Sequence, residues 1–234
     1  MAIRYNILNY HIGSDPGTGF KKAGKHMKER SKGHAVFWAL LVFLVFLCGC
    51  GNDAPWESWT EERTLIQKDG QVTCCIIDGF EKDYYDLDEL RQMAVEETSH
   101  FNGEYKQNGG SAAVLEVARL DEAQNMVRVT YRFSGGDVYT AFFTEKLYFE
   151  TVGEALEAKH LFTGIDLYNE TGSIKMDEEN KEKLKGRHVI VTDAKSIIEV
   201  PYEVEYYSYG VTIRKDGSVD TLGCSGTATI ILKK

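Results

Sequence analysis

The sequence lacks most of the features that define stalks, membrane-spanning proteins and common enzymes. It has three prolines in 234 residues and no low-complexity tract, which argues against a proline-rich stalk or a long linker. Its longest apolar run covers residues 35–47, whereas a transmembrane helix needs roughly 20 apolar residues. It shows no complete glycine-rich phosphate motif and no HxxxH or HxH pair. What is present is a globular composition, 43% hydrophobic and 12% aromatic, with 13 tyrosines.

Charge is distributed unevenly along the chain. Residues 1–50 hold 7 basic and 2 acidic residues, a balance of +5, and residues 51–234 hold 20 and 34, a balance of −14. An acidic surface repels phosphate backbones and anionic lipid headgroups. Nucleic acid is therefore not an expected partner, and the acidic balance is typical of a solubilised extracellular surface.

The N-terminal region has the order of a secretory signal. A basic segment, MKERSKGH, starts at Met27 and is followed by the apolar run 35–47, by the small residues CGC and by the polar residues GND. This order and these lengths predict a signal peptide rather than a membrane-spanning helix.

The residues Leu47-Cys48-Gly49-Cys50 resemble the lipobox of bacterial lipoprotein precursors, an aliphatic residue and two small residues before a cysteine. The resemblance implies cleavage between Gly49 and Cys50 and a diacylglyceryl group, with palmitate-type acyl chains, on the thiol of Cys50. It also implies a lipid anchor at the outer, extracytoplasmic face of the cell membrane, where two acyl chains give stable attachment. A metal-binding reading of the two cysteines would need further thiol or imidazole ligands nearby, and residues 35–60 contain no other cysteine and no histidine.

This reading divides the chain into four parts. Residues 1–26 are either a mis-called start, with translation beginning at Met27, or an extended basic n-region. Residues 27–49 form the lipoprotein signal peptide, residues 50–58 a lipidated tether, and residues 59–234 a single α+β domain. We expect no cofactor, no metal site and no catalytic residue.

The patterning of residues 59–234 predicts an α+β fold with a mainly antiparallel sheet, one long amphipathic helix and shorter helices. Residues 64–77 read as a hairpin around Lys-Asp-Gly, and residues 125–134 alternate apolar and polar side chains. Residues 86–110 read as the long helix, with Asp86 and Glu89 in a capping-box pattern. Residues 135–146 are expected as a short helix or an irregular turn, residues 147–160 as a strand followed by a helical turn capped near Thr151, and residues 177–186 as a short polar helix. The tail is predicted to be all strand, over residues 187–192, 196–208, 211–222 and 227–234. Pro201 within the second of these marks either an edge strand or a bend.

One pattern occurs twice, in residues 64–73 and 211–220: a strand, then Lys-Asp-Gly, then a second strand. It is explained either by a duplicated hairpin or by the frequent use of Asp-Gly in turns. The segments DYYDLDEL and VGEALEA and the valine-rich closing strands resemble uncharacterised lipoproteins of gut-type Gram-positive bacteria. Those proteins have no assigned activity, so the resemblance implies location and a shared fold only.

Candidate reactive residues are few. Three histidines follow the signal, His100, His160 and His188, and each is expected at the surface or at the edge of the core. Cys224 with His188 forms a conceivable thiol–imidazole pair, although flanking glycines explain Cys224 as part of a turn. Cys74 and Cys75 should point to opposite faces of a strand, and one of them could pair with Cys224. An odd number of thiols favours small core residues over a disulfide framework.

The tyrosines suggest where a ligand would bind. Tyr84 and Tyr85, with Tyr206, Tyr207 and Tyr209, could line a groove for a protein, peptide or carbohydrate partner, or could simply be edge-strand residues. We expect a non-catalytic binding or envelope-associated module. The alternatives are an accessory or solute-binding subunit of a membrane system and, third, an envelope hydrolase.

Overall fold

The structure, a computed structural model, describes residues 55–80, 86–107, 115–123 and 125–233, and the side chains of all of these except residues 107 and 115–123. The strands are β1 (Arg63–Ile66), β2 (Val72–Gly79), β3 (Leu115–Ala123), β4 (Met126–Phe133), β5 (Leu147–Thr151), β6 (Asp166–Asn169), β7 (Gly172–Lys175), β8 (His188–Thr192), β9 (Ile197–Glu199), β10 (Val204–Ser208), β11 (Thr212–Ile213), β12 (Val219–Asp220) and β13 (Ala228–Leu232). The helices are α1 (Leu87–Gln107), α2 (Gly136–Phe143), α3 (Val152–Glu157) and α4 (Glu178–Leu184), preceded by a 3₁₀ turn at Pro55–Ser58.

The strands form two sheets. A seven-stranded sheet has the order β11-β12-β9-β1-β2-β4-β3, and a six-stranded sheet has the order β5-β8-β13-β10-β6-β7. All pairings are antiparallel except that between β1 and β9, which is parallel. The predicted mixed fold with mainly antiparallel pairing is confirmed, with two sheets in place of one.

Two apolar clusters lie on opposite faces of the six-stranded sheet. Ile190 and Ile230 join the seven-stranded sheet in the larger cluster, whereas their neighbours Val189 and Ile231 join α3 and α4 in the smaller one. Because successive strand residues point to opposite faces, the central strands β8 and β13 are buried on both sides. This double burial explains their nearly unbroken apolar sequences, HVIVT and ATIIL.

An aromatic cluster fills the larger core where α2 meets β4. The ring centroids of its closest pair, Tyr139 and Phe143, lie 4.9 Å apart. Its buried members are Tyr131, Phe133, Tyr139, Phe142 and Phe143. Such rings add edge-to-face attraction to their large apolar area, so this cluster anchors α2 to the seven-stranded sheet.

The longest described helix is α1, with 21 residues. It begins where the side chain of Asp86 accepts hydrogen bonds from the N–H groups of Asp88 and Glu89, at 2.8 and 3.0 Å. Among its described side chains only Ala94 and Thr98 are buried. The amphipathic character expected of this helix remains a prediction.

The two Lys-Asp-Gly segments form the same turn. In the first, Asp69 accepts a hydrogen bond from the N–H of Gln71 at 3.1 Å, and Gly70 has φ +87°. In the second, Asp216 accepts from the N–H of Ser218 at 3.0 Å, and Gly217 has φ +83°. A left-handed residue after an Asp that binds its own backbone is a general turn solution, which supports turn chemistry as the source of the repeat.

Two expectations about strands are corrected. Residues 196–208 were expected as one strand, but Pro201 separates β9 in the seven-stranded sheet from β10 in the six-stranded sheet. The β6–β7 hairpin was not predicted. Its turn is organised by Asn169, whose side-chain oxygen accepts hydrogen bonds from the N–H groups of Thr171 and Gly172, both at 3.0 Å.

The shorter helices lie where they were predicted. Thr151 and Glu154 form a capping box at the start of α3, and the Asp177 side chain accepts from the N–H of Asn180 at the start of α4. In the part of the chain that the structure describes, no helix has the length and apolar composition needed to cross a membrane.

Candidate functional site

Three of the five tyrosines predicted to bind a ligand lie among the described residues. Tyr84 and Tyr85 lie outside the described residues, as do Gly49 and Cys50. Tyr206 and Tyr207 lie on β10, and Tyr209 follows in the turn, 84% exposed. Of these three, Tyr206 and Tyr207 line one concave surface and Tyr209 does not line it.

That surface is a groove of about 680 Å³ between β10, the β6–β7 turn and β11. Its lining residues are Asn169, Glu170, Thr171, Glu203, Val204, Glu205, Tyr206, Tyr207, Val211, Thr212, Ile213, Gly217 and Lys233. The volume lies within the range typical of ligand-binding clefts.

The rings of Tyr206 and Tyr207 pack against the apolar clusters and also line the groove. Both are half-buried, with Tyr206 packed against the smaller apolar cluster and Tyr207 against the larger one. Because neighbouring side chains on a strand point in opposite directions, the rings cannot stack side by side under one flat ligand. This arrangement disfavours a sugar platform, which needs exposed ring faces.

The groove exposes strand edges on both sides. Strand β6 covers only Tyr207 and Ser208 of β10, so the first half of β10 has no strand beside it on this side among the described residues. Opposite it, β11 is the last strand of the seven-stranded sheet. Unpaired edges of this kind are the surfaces to which extended peptides add as further strands.

A β-bulge shapes the same part of β10. The register with β13 shifts between Val204 and Tyr206, which leaves Glu205 as the extra residue. Bulges bend a strand and redirect a side chain, and they are frequent next to binding sites. The carboxylate of Glu205 is held by Arg187, whose Nε lies 3.0 Å from Oε2.

Acidic residues outnumber basic ones along the groove. The lining includes Glu170, Glu203 and Glu205 but one basic residue, Lys233, which forms an ion pair with Glu203. Because Glu203 pairs with Lys233 and Glu205 with Arg187, Glu170 is the lining carboxylate outside an ion pair among the described residues, and it favours a positive group on the ligand. The exposed part of Ile213, 37% of the side chain, adds an apolar contact on the opposite wall.

The predicted thiol and imidazole groups do not come together. Cys74, Cys75 and Cys224 are all buried, and none of them forms a disulfide with another described residue. Burial raises the pKa of the Cys224 thiol, which opposes formation of a nucleophilic thiolate. His188 is stacked between Phe149 and Tyr202, at centroid distances of 5.0 and 5.3 Å. As expected, the adjacent cysteines diverge: Cys74 joins the larger cluster and Cys75 does not.

A charged cluster that the sequence did not reveal joins the central strand β1 of the seven-stranded sheet to β9 and to the β11–β12 turn at one end. Arg63 contacts Glu61 at 2.6 Å, Glu199 at 3.2 Å and Asp216 at 3.1 Å, and Arg214 reaches Glu61 at 3.0 Å. The hydrogen bond from Arg63 lowers the pKa of Glu61. The members pair with one another, so this cluster is best explained as a connection between strands. Within the described ranges, no group of three or more His, Cys, Asp or Glu side chains could hold a metal ion.

Comparison with known proteins adds no relatives: no family model, no curated protein and no solved structure matches the chain. Functional inference therefore depends on the groove itself.

Proposed function

We propose that the chain is a lipid-anchored, extracytoplasmic protein held at the outer face of the cell membrane by Cys50, and that it is a non-catalytic module that binds an extended peptide. The observation that supports the binding role is the groove between β10 and β11, where two strand edges face one cleft. The signal-like order of residues 27–50 supports the anchor.

A peptide fits this groove better than a sugar does. Main-chain hydrogen bonds to a free strand edge give affinity, and pockets for alternate side chains give selectivity. The acidic wall favours basic side chains on one face of the peptide, and Ile213 favours an apolar side chain on the other. The ligand is therefore a segment that alternates basic and apolar residues, as in an unfolded or unpaired strand of an envelope protein.

We also propose that α1 presents an amphipathic face. Leu87, Leu90, Ala94 and Phe101 recur at helical spacing, and the last two contact the larger core. This face would hold α1 against the seven-stranded sheet, away from the peptide groove, so the helix is a structural element of the binding domain.

The anchor is tested by metabolic labelling with an alkyne analogue of palmitate, followed by membrane fractionation. The wild-type chain should carry the label and sediment with membranes, and Cys50→Ala should lose the label and be released. The matched control is Cys48→Ser, which keeps a small residue in the box and should keep both properties. A labelled Cys50→Ala chain would show that the anchor is elsewhere or absent.

Peptide binding is tested by fluorescence anisotropy with the full chain in detergent and a dye-labelled peptide of alternating lysine and valine. Ile213→Asp should weaken binding at least about tenfold, since one apolar anchor contributes roughly 1–3 kcal/mol. Leu222→Asp is the matched control, because Leu222 is also exposed, at 59%, but lies outside the groove. Equal binding of a proline-substituted peptide, which cannot pair as a strand, would refute strand addition.

A further inference from the structure

A second pocket lies on the opposite side of the six-stranded sheet from the larger core, near the start of β5. Its floor is a row of three side chains on adjacent strands: Tyr148 pairs with Val191, and Val191 pairs with Thr229. The segment that follows α3 forms the wall and encloses about 360 Å³. No residue that lines this pocket also lines the groove between β10 and β11.

The wall is built around a fixed histidine. The ring of His160 stacks on that of Tyr148, with centroids 3.6 Å apart and planes 3° from parallel. Its Nδ1 lies 2.7 Å from Oε1 of Glu150, which holds the ring in one orientation. A side chain oriented by both stacking and a carboxylate is pre-organised, so it needs no ordering when a ligand arrives.

Two lysines line the pocket although the domain is acidic. Lys146 and Lys159 both line it, and neither ammonium group forms an ion pair with any described residue. The carboxylate of Asp193 lies nearby but accepts a hydrogen bond from the backbone N–H of Lys146, at 2.6 Å. The carboxylate of Glu150 is engaged by His160. Two lysines outside any ion pair among the described residues therefore line the cavity, beside the carboxylates of Asp193 and Glu150.

Lys159 occupies a backbone conformation that usually belongs to glycine. It follows Ala158, the C-cap of α3, with φ +60°, the left-handed conformation that commonly ends a helix and that L-residues adopt at a cost. Beside it Phe162 is 64% exposed, an aromatic side chain left at the pocket mouth.

We propose that this pocket binds a small amphipathic acid, a molecule with an aromatic or aliphatic body and a carboxylate or phosphate head. Lys146 and Lys159 bind the head, and Tyr148, Ile165 and Phe162 pack against the body. A purely polar anion would leave Phe162 exposed, and a neutral aromatic molecule would leave both lysines unpaired. This site is independent of the proposed peptide binding.

The test uses fluorine NMR line broadening with the purified full chain in detergent and three probes: para-fluorophenylacetate, para-fluorophenyl phosphate and para-fluorobenzyl alcohol. The two acids should broaden in the presence of the protein and the alcohol should not, and the tighter acid identifies the head group. Equal broadening of the alcohol would overturn the proposal, since binding would then be apolar partitioning.

Variants localise the site. The Lys146→Gln, Lys159→Gln chain should bind the acids at least about tenfold more weakly, as expected for the loss of charged hydrogen bonds, and the corresponding double Arg chain should keep binding. Lys183→Gln, an exposed lysine on α4 outside the pocket, is the matched control. Unchanged affinity in the double Gln chain, or an equal loss in the control, would exclude this pocket.

Discussion

The carboxylate of Asp216 lies 3.1 Å from Nη1 of Arg63, although the two residues are 153 positions apart. This contact ties the β11–β12 turn, near the end of the chain, to the first strand of the same sheet. Asp216 also accepts from the hydroxyl and the N–H of Ser218, at 2.6 and 3.0 Å. Hydrogen bonds from Ser218, followed by the bond and charge of Arg63, lower the pKa of Asp216 to about 2.

A lowered carboxyl pKa makes stability depend on pH in a defined direction. The charged form is favoured in the folded chain, so the stabilisation is complete above the unfolded pKa, about 4, and is lost as pH falls toward about 2. We predict that Asp216→Asn lowers the urea midpoint at pH 7 and that its difference from wild type disappears between pH 4 and pH 2.

The control for this prediction is Asp69→Asn. Asp69 holds the equivalent turn through the N–H of Gln71, and its pair with Gln71 lies outside the Arg63 cluster. A smaller loss at pH 7 is expected there. An Asp216→Asn difference that persists unchanged at pH 2 would contradict the role of its charge.

A buried hydroxyl without a partner gives a second prediction. Tyr131 is 0% exposed, and its hydroxyl makes no hydrogen bond within the described structure. Burying such a group costs about 1–3 kcal/mol, so Tyr131→Phe should increase the free energy of unfolding by about 1 kcal/mol. Chemical denaturation measures the change.

The aromatic cluster supplies its own control. Tyr139 is equally enclosed, but its hydroxyl donates to Oε2 of Glu145 at 3.1 Å. Tyr139→Phe removes a satisfied bond and should lower stability by about 1 kcal/mol. If both variants change stability in the same direction, the hydrogen bonding assigned to these two tyrosines is wrong.

Local chemistry explains which elements were predictable from sequence. The turn at Gly70, the caps at Asp86 and Thr151 and the alternating strand β4 each follow from residues within a few positions of one another. The β6–β7 hairpin was missed because two four-residue strands are too short for a periodic signal, although Asn169 and Gly172 are typical turn residues.

The groove could not be predicted from local sequence patterns. Tyr206 and Tyr207 were identified by composition, but the cleft arises because β6 stops short along β10 and because the chain crosses between sheets at Pro201. The bulge at Glu205 has no sequence signature, since it depends on the register with β13. Long-range pairing of this kind cannot be read from spacing along one chain.

The turn that places β11 beside β10 gives a third prediction. Gly210 has φ +88°, and a Cβ there would lie 3.1 Å from Cα of Cys224. Gly210→Ala therefore meets both backbone strain and a close contact, and should lower the free energy of unfolding by about 2–3 kcal/mol. Thermal and urea unfolding measure the loss.

A substitution at Gly217 distinguishes the backbone strain from the close contact. This glycine has a similar φ, +83°, but a Cβ there would meet nothing within 4 Å. Gly217→Ala should cost about 1 kcal/mol, the strain alone. An equal cost at the two sites would show that the contact between Gly210 and Cys224 contributes nothing to the placement of β11.

The last prediction separates stability from binding at Lys159. Glycine removes the strain of φ +60°, so Lys159→Gly should raise the free energy of unfolding by about 0.5–1 kcal/mol, partly offset by the greater freedom of glycine in the unfolded chain. The same variant removes one of the two cations of the pocket and should weaken binding of para-fluorophenylacetate.

Thr144→Gly is the control, because Thr144 has φ +59° at the end of α2, outside the pocket. It should change acid binding little. If Lys159→Gly raises the free energy of unfolding and lowers the affinity for the acid, the conformation of Lys159 serves ligand binding at the expense of stability. A Lys159→Gly chain that binds the acid as tightly as wild type would contradict that role.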